Sequence, residues 1–203
     1  MTDDAFDRGF YDSLPATLDE IWSRLSRGAA DRRSGFHTAQ LATLGADGAP
    51  RVRTLVLRGV ERPERLLRLH TDRRSTKAAE IAAEPRVELH LYDAKAKMQL
   101  RVRGAAAVHA DDAAADAAWR ATGGGSRVCY RGRSPGVPLD APQEGDPPET
   151  ARNPVDPEWG RGAFAAIHVT AARLEWLYLA ARGHRRAAFS WSGDGWEGRW
   201  LAP

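Results

Sequence analysis

Residues 38–60 read TAQLATLGADGAPRVRTLVLRGV, and the reading of this stretch decides the fold. The run 38–44 and the run 51–60 both alternate in residue character, the signature of a strand with one face turned inward. Between them, GADGAP combines two glycines, an aspartate and a proline, residue types that set tight turns. Two such runs across a short turn form an antiparallel hairpin.

The same pattern recurs outward from this hairpin. ERLLRLHT (64–71), RVELHLYD (86–93) and MQLRVRGAAAVHA (98–110) read as three further strands, and GAFAAIHVTAARLEWLYLA (162–180) carries strand signal at greater length. RRAAFSW, the turn SGDG and WEGRWLAP form an expected terminal hairpin. Helices are few. The spacing Thr17-Leu-Asp-Glu20 is that of a capping box, and Leu18, Ile21, Trp22 and Leu25 follow at helical intervals, which places an amphipathic helix within residues 1–35. A second helix is expected from Ser75 to about Pro85, and a third from Asp111 or Asp112 to the breaker Gly123-Gly-Gly125. Seven of the twelve prolines fall between Pro135 and Pro157 among acids and few apolar residues, so 135–158 reads as a long loop. Six or more sequential strands with few helices imply a mainly β single domain over 1–203, a small antiparallel barrel with peripheral α-helices.

Composition narrows the function classes. The net charge is only +3, and three lysines (Lys77, Lys95, Lys97) stand among thirty basic residues, so the positive charge is mostly scattered arginine. No basic run or recognition motif points to nucleic acid. Cys129 is the single cysteine, which excludes an intrachain disulfide and a multi-thiolate metal site, and the histidines lack ligand spacing; no metal is expected. The start MTDDAFDRGF is acidic, and no apolar run is long enough to cross a bilayer, so the expected location is cytoplasmic, without membrane partners.

One polar stretch has chemical content of its own. HTDRRSTKAAEI (70–81) places Ser75 at a helix start, with Arg73, Arg74 and Lys77 beside it. Free N–H groups and partial positive charge at such an end attract anions, and the neighbouring cations make it a candidate phosphate seat. By itself the stretch reads more readily as an ordinary capped surface helix with solvated charges, since isolated cap motifs are common.

Taken with their neighbours, these residues resemble the pyridoxamine 5′-phosphate oxidase family. The resemblance runs through Arg53-Thr54-Leu55-Val56-Leu57-Arg58, His70-Thr71, Ser75-Thr76-Lys77, Gln99, Leu174-Glu-Trp176, Arg182-Gly-His184-Arg-Arg186 and the closing Leu201-Ala-Pro203. It covers the chain from about Thr38 to the last residue, and RSPGVP (133–138) looks like a divergent FMN-binding branch. The resemblance implies a homodimeric split β-barrel with FMN across the interface. It assigns the phosphate to Arg53 and Lys77, aided by the Ser75 helix start; Thr54 to Arg58, His70, Thr71 and Thr76 lie along the cofactor. Gln99 matches a flavin-contacting glutamine. Ser134, Arg186 and Trp176 (or Leu177 under a one-residue shift) match residues that approach the flavin from the partner subunit. Arg182 and His184 match the pair that orients the substrate.

Departures bear on specificity. Thr76 stands where the family has arginine, with Arg73 and Arg74 nearby. The family's substrate phosphate clamp is a lysine, a tyrosine, an arginine and a serine; here the positions hold Arg58, Ala118, Thr122 and Ser126. The implied activity is hydride transfer from a small amine or alcohol to FMN with oxygen as acceptor, on a substrate-binding set of Arg58, Ser126, Arg182 and His184. The alternatives are a flavin carrier or sensor without turnover and, from charge alone, an arginine-rich nucleic-acid binder.

Overall fold

A computed structural model describes residues 9–180 and 183–203. Its elements, in chain order, are α1 (Leu14–Ala30), β1 (Thr38–Leu44), β2 (Pro50–Glu61), β3 (Leu66–Asp72), α2 (Thr76–Ala83), β4 (Arg86–Asp93), β5 (Met98–His109), α3 (Ala113–Ala121), α4 (Gly124–Arg127), β6 (Phe164–Tyr178), β7 (Arg185–Trp191) and β8 (Trp196–Leu201). The quoted hairpin forms as expected, with Thr38 opposite Val56 and Leu44 opposite Pro50. Its turn holds Gly48 at φ 75°, in the left-handed region that glycine enters without strain.

All pairings are antiparallel, in the order β3-β2-β1-β4-β5-β6-β7-β8, and β3 also pairs with β6. That second pairing closes six strands into a barrel and leaves β7 and β8 as an extension. The fifteen-residue β6 serves both parts: residues 164–170 pair with β3, and residues 173–178 pair with β7. A bulge where β5 passes from Arg103 to Gly104 redirects the pairing. A Cβ at Gly104 would collide with the Thr170 carbonyl, so only glycine permits this approach.

The barrel interior is lined by Leu41, Leu57, Leu67, Leu69, Leu89, Leu91, Leu100, Val102, Ile167, Val169 and Leu174, all fully buried. One side chain of each pair along these strands faces in, the period-two arrangement read from the sequence. Helix α1 lays Ile21, Trp22 and Leu25 against this core. Its start differs from the expected capping box. Ser13 is the N-cap and accepts from the Ala16 N–H, while Thr17 lies inside the helix and donates to the Phe10 carbonyl at 2.5 Å. Pro15, in the first turn where its missing N–H costs nothing, moves the helix start ahead of Thr17.

Helix α3 covers the outer face of β6, where Trp119, Phe164 and Ala166 form a smaller cluster with Tyr130 packed on it. The proline-rich segment is irregular with short 3₁₀ turns, and buried Arg131 ties it down by donating to the Trp159 and Ala151 carbonyls. A short helix, α4, follows Gly123, where the sequence suggested none. Among the described residues no helix is long and apolar enough to cross a membrane.

Candidate functional site

The phosphate-seat residues assemble at one end of the barrel. Arg53 leaves β2 beneath α2, where its Nη2 lies 2.6 Å from the Glu80 carboxylate and its Nη1 donates to Thr43. The Thr43 hydroxyl in turn donates to Glu80 at 2.6 Å. Burial alone would raise the Glu80 pKa, but hydrogen bonds from Thr43 and Arg53 and the arginine charges bring it below its ordinary value. The guanidinium is thereby held in one orientation.

Ser75 is the N-cap residue of α2 by position, but its side chain does not cap the helix. Its hydroxyl donates to the Asp72 carbonyl at 2.6 Å and receives the Thr71 hydroxyl at 3.2 Å, and Thr71 receives Lys77 Nζ at 3.2 Å. The first-turn N–H groups of α2 therefore lack a side-chain cap, and no acidic residue lies in that turn. Lys77 is half-buried; burial first, then the charge of Arg53, lowers its pKa. Asp72, almost fully buried, is neutralised by Arg74, which grips both of its oxygens. The end of α2 thus presents cationic and donor groups, with the neighbouring carboxylates Asp72 and Glu80 each already paired with an arginine. This donor set fits a phosphate group.

A second group surrounds His70. This residue lies on the outer face of β3, edge-on to Phe164 at 4.9 Å, with Nδ1 3.4 Å from the Thr122 hydroxyl. A cavity of about 240 Å³ opens over it, walled by Arg58, Arg68, Ala117, Ala118, Ala121 and Thr122. Burial, reinforced by the charges of Arg58 and Arg68, lowers the His70 pKa to about 4, so the imidazole is neutral at physiological pH. The clamp positions Arg58, Ala118 and Thr122 do converge in space. Ser126 lies on α4, outside the residues that wall this cavity.

A third group lies across the sheet extension. Tyr92, Gln99, Leu177, Arg186 and Leu201 stand in register on β4, β5, β6, β7 and β8. Gln99 is half-buried, and its amide has no hydrogen bond among the described residues. Arg186 is bound to Glu175 at 2.5 Å, and Glu175 also collects Arg101 and Arg173. His184 is exposed and borders a surface cavity with Asp12, Arg185, Arg186, Trp200 and Leu201. That cavity contains none of the α2 residues. Arg182, the expected partner of His184, lies outside the described residues.

Two expectations change in this frame. Trp176 is fully buried beside Tyr11 and Tyr178, so its indole cannot reach a ligand on the outer face; Leu177 occupies the outward position. The alternation Leu174, Trp176, Tyr178 carried that signal in the sequence. Leu57 and Leu55 turn into the barrel, leaving Thr54, Val56 and the backbone as the outward groups of this strand. Ser134, expected to serve the flavin of a partner subunit, is half-buried in the segment after α4 and lines neither cavity of its own chain. The sequence reading missed Glu80 and Glu175, which orient Arg53 and Arg186; both contacts cross between elements and have no local signature.

A barrel of six strands with this donor set defines a flavin-binding split-barrel protein. Residues 19–110 match the model of the pyridoxamine 5′-phosphate oxidase FMN-binding domain. The chain is 35% identical over 200 residues to the pyridoxine/pyridoxamine 5′-phosphate oxidase of Anaeromyxobacter dehalogenans, covering 94% of this chain and 97% of that one. Against the enzyme of the same name from Alkalilimnicola ehrlichii the figures are 30% over 199 residues, 93% and 96%. The fold is that of a pyridoxamine 5′-phosphate oxidase-related, FMN-binding protein from Nostoc punctiforme, with a TM-score of 0.76 at 23% identity over 91% of this chain and 96% of that one. The chain belongs to the pyridoxamine 5′-phosphate oxidase family, and its cofactor is FMN.

Proposed function

We propose that the chain is an FMN-dependent oxidoreductase that takes two electrons from a small amine or alcohol, working as a homodimer. The observation that carries this is the α2 terminus, an uncapped helix start with Lys77 in its first turn and Arg53 fixed beneath it by Glu80. Arg53, Lys77 and the N–H groups of that turn would hold the FMN phosphate, each charge-assisted bond contributing about 1.5–3 kcal/mol. Thr71 and Ser75 keep Lys77 directed at the seat through the chain of hydroxyls. Gln99, whose free amide both donates and accepts, suits the polar edge of the isoalloxazine. Bound there, FMN supplies a two-electron acceptor that dioxygen reoxidises.

His184 and Arg186 lie with the β7–β8 extension rather than at the α2 seat, which favours their service to the flavin of a second subunit. Arg186, oriented by Glu175, would add charge at the cofactor, while His184 and Arg182 would orient the substrate. Purified protein should show the visible bands of oxidised FMN, and candidate amines and alcohols added anaerobically should bleach them. Flavin bands that no donor bleaches would favour a carrier or sensor; absence of FMN binding would overturn the reading.

A further inference from the structure

We propose that the cavity over His70 takes a planar carboxylate carrying a neighbouring N–H or O–H donor, rather than a phosphate ester, with Arg58 as the anion's fork and His70 as the acceptor for that donor. This rests on the function proposed above and names the substrate class of the same site.

Arg58 is the cation available to a ligand. It borders the cavity and makes no hydrogen bond or ion pair among the described residues, whereas Arg68, on the same wall, is paired with Glu61 at 3.0 Å. One unpaired guanidinium matches a carboxylate with two parallel N–H···O bonds. A phosphate dianion demands more, and the cavity withholds it. Ala118 offers a methyl group, and the Thr122 hydroxyl is already committed to the Ala118 carbonyl at 2.8 Å. The wall from Ala117 to Thr122 is moreover the C-terminal end of α3, whose partial negative charge disfavours a dianion more than a monoanion.

The histidine supplies the second recognition element. Because the Thr122 hydroxyl gives its proton to Ala118, its oxygen is left to accept, and the neutral imidazole answers with a proton on Nδ1. The other nitrogen, Nε2, then carries a bare lone pair. A group that donates to it, standing next to the carboxylate, completes the match. Ala117, Ala118 and Ala121, with Ala29 beside them, leave a smooth apolar wall for a flat ring.

The test uses FMN-loaded protein near neutral pH and four aryl probes: 2-aminobenzoate, benzoate, benzamide and phenyl phosphate, titrated calorimetrically. Benzoate should bind about tenfold tighter than benzamide, the worth of one charge-assisted pair. 2-Aminobenzoate should exceed benzoate by several-fold, and phenyl phosphate should not exceed it. Arg58→Gln should abolish the benzoate preference over benzamide. His70→Phe should abolish the gain from the amino group, and His70→Gln, which keeps an acceptor, should restore part of it. Phenyl phosphate binding tighter than benzoate would overturn the proposal, as would a benzoate preference unaffected by Arg58→Gln, or no binding of any probe. Failure of the broader reading appears separately, as failure to bind FMN, which flavin fluorescence reports without any probe.

Discussion

Arg53 of the second barrel strand and Glu80 of the following helix form an ion pair at 2.6 Å, and the Thr43 hydroxyl bonds to both. A carboxylate so close to a proposed phosphate seat looks out of place by charge. Its contribution is orientation, since an arginine has many rotamers and the pair selects one. Glu80→Ala should cost the cofactor-free protein about 1–3 kcal/mol, because the half-buried guanidinium loses its partner. The loss should shrink when FMN is added, since the phosphate takes over as counter-charge. Thermal melts with and without FMN check this; equal losses in both would show that Glu80 has no link to the cofactor.

Lys77 should discriminate between FMN and riboflavin. Its ammonium is half-buried and, among the described residues, has only the Thr71 hydroxyl as a hydrogen-bond partner, so the group it most lacks is an anion. Lys77→Ala should weaken FMN by about tenfold or more and riboflavin little, a difference of one charge-assisted contact. Equal weakening of both ligands, measured by fluorescence quenching, would remove the phosphate from this seat.

Association should follow from the outer face of the barrel. Leu44, Val52 and Tyr92 are 40%, 66% and 44% exposed, although all three sit on strands that should turn polar groups to water. If this face meets a second copy, Val52→Glu should shift sedimentation toward monomer and weaken FMN binding together. A monomer that still binds FMN tightly would contradict the dimeric site.

His70 gives a pH signature. Its value of about 4 lies below the ordinary 6.5, so between those limits the unfolded chain binds a proton that the folded one refuses. The stability linked to this residue is complete above pH 6.5 and declines as pH falls toward 4. Arg58 from β2, Arg68 from its own strand and His168 from β6 all oppose protonation, with Thr122 the neutral neighbour from α3. The imidazole nitrogens, followed by NMR, should titrate near 4, and Arg58→Gln should move that titration upward. A midpoint near 6.5 in the wild type would mean that His70 is solvated.

Pyridoxamine 5′-phosphate should be a poor substrate. Arg58 remains of the cavity-wall clamp positions, while Ala118 and Thr122 carry no charge. Loss of remote binding energy lowers kcat/KM even where the reacting groups survive. Thr122→Arg with Ala118→Tyr should improve turnover, measured by peroxide release. Wild-type efficiency of roughly 10⁴ M⁻¹s⁻¹ or above would show that the clamp is intact in some other form.

The sequence disclosed what is local or periodic. The hairpin 38–60, the Asp112 cap of α3 and the alternation in β6 all lie within a few residues, and each appears in the structure. Ser75 shows the boundary: its place at the helix start was legible, but the direction of its hydroxyl depends on Asp72 and Thr71. Glu80 meets Arg53 across 27 residues and Glu175 meets Arg101 across 74, pairings that only the closed barrel creates. The resemblance located the candidate site; alternation, taken more strictly, would have turned Trp176 inward.

The double duty of β6 bears on how the molecule is made. Leu69 waits for Ile167 and Thr71 for Ala165, so closure joins segments separated by nearly half of the chain. During synthesis the first five strands emerge with an unpaired edge at β3 and another at β5, and both are quenched by one late arrival. Such non-local closure is slow. A ribosome-bound fragment ending before Phe164 should therefore be the aggregation-prone form, and chaperone demand should fall once β6 has cleared the exit tunnel.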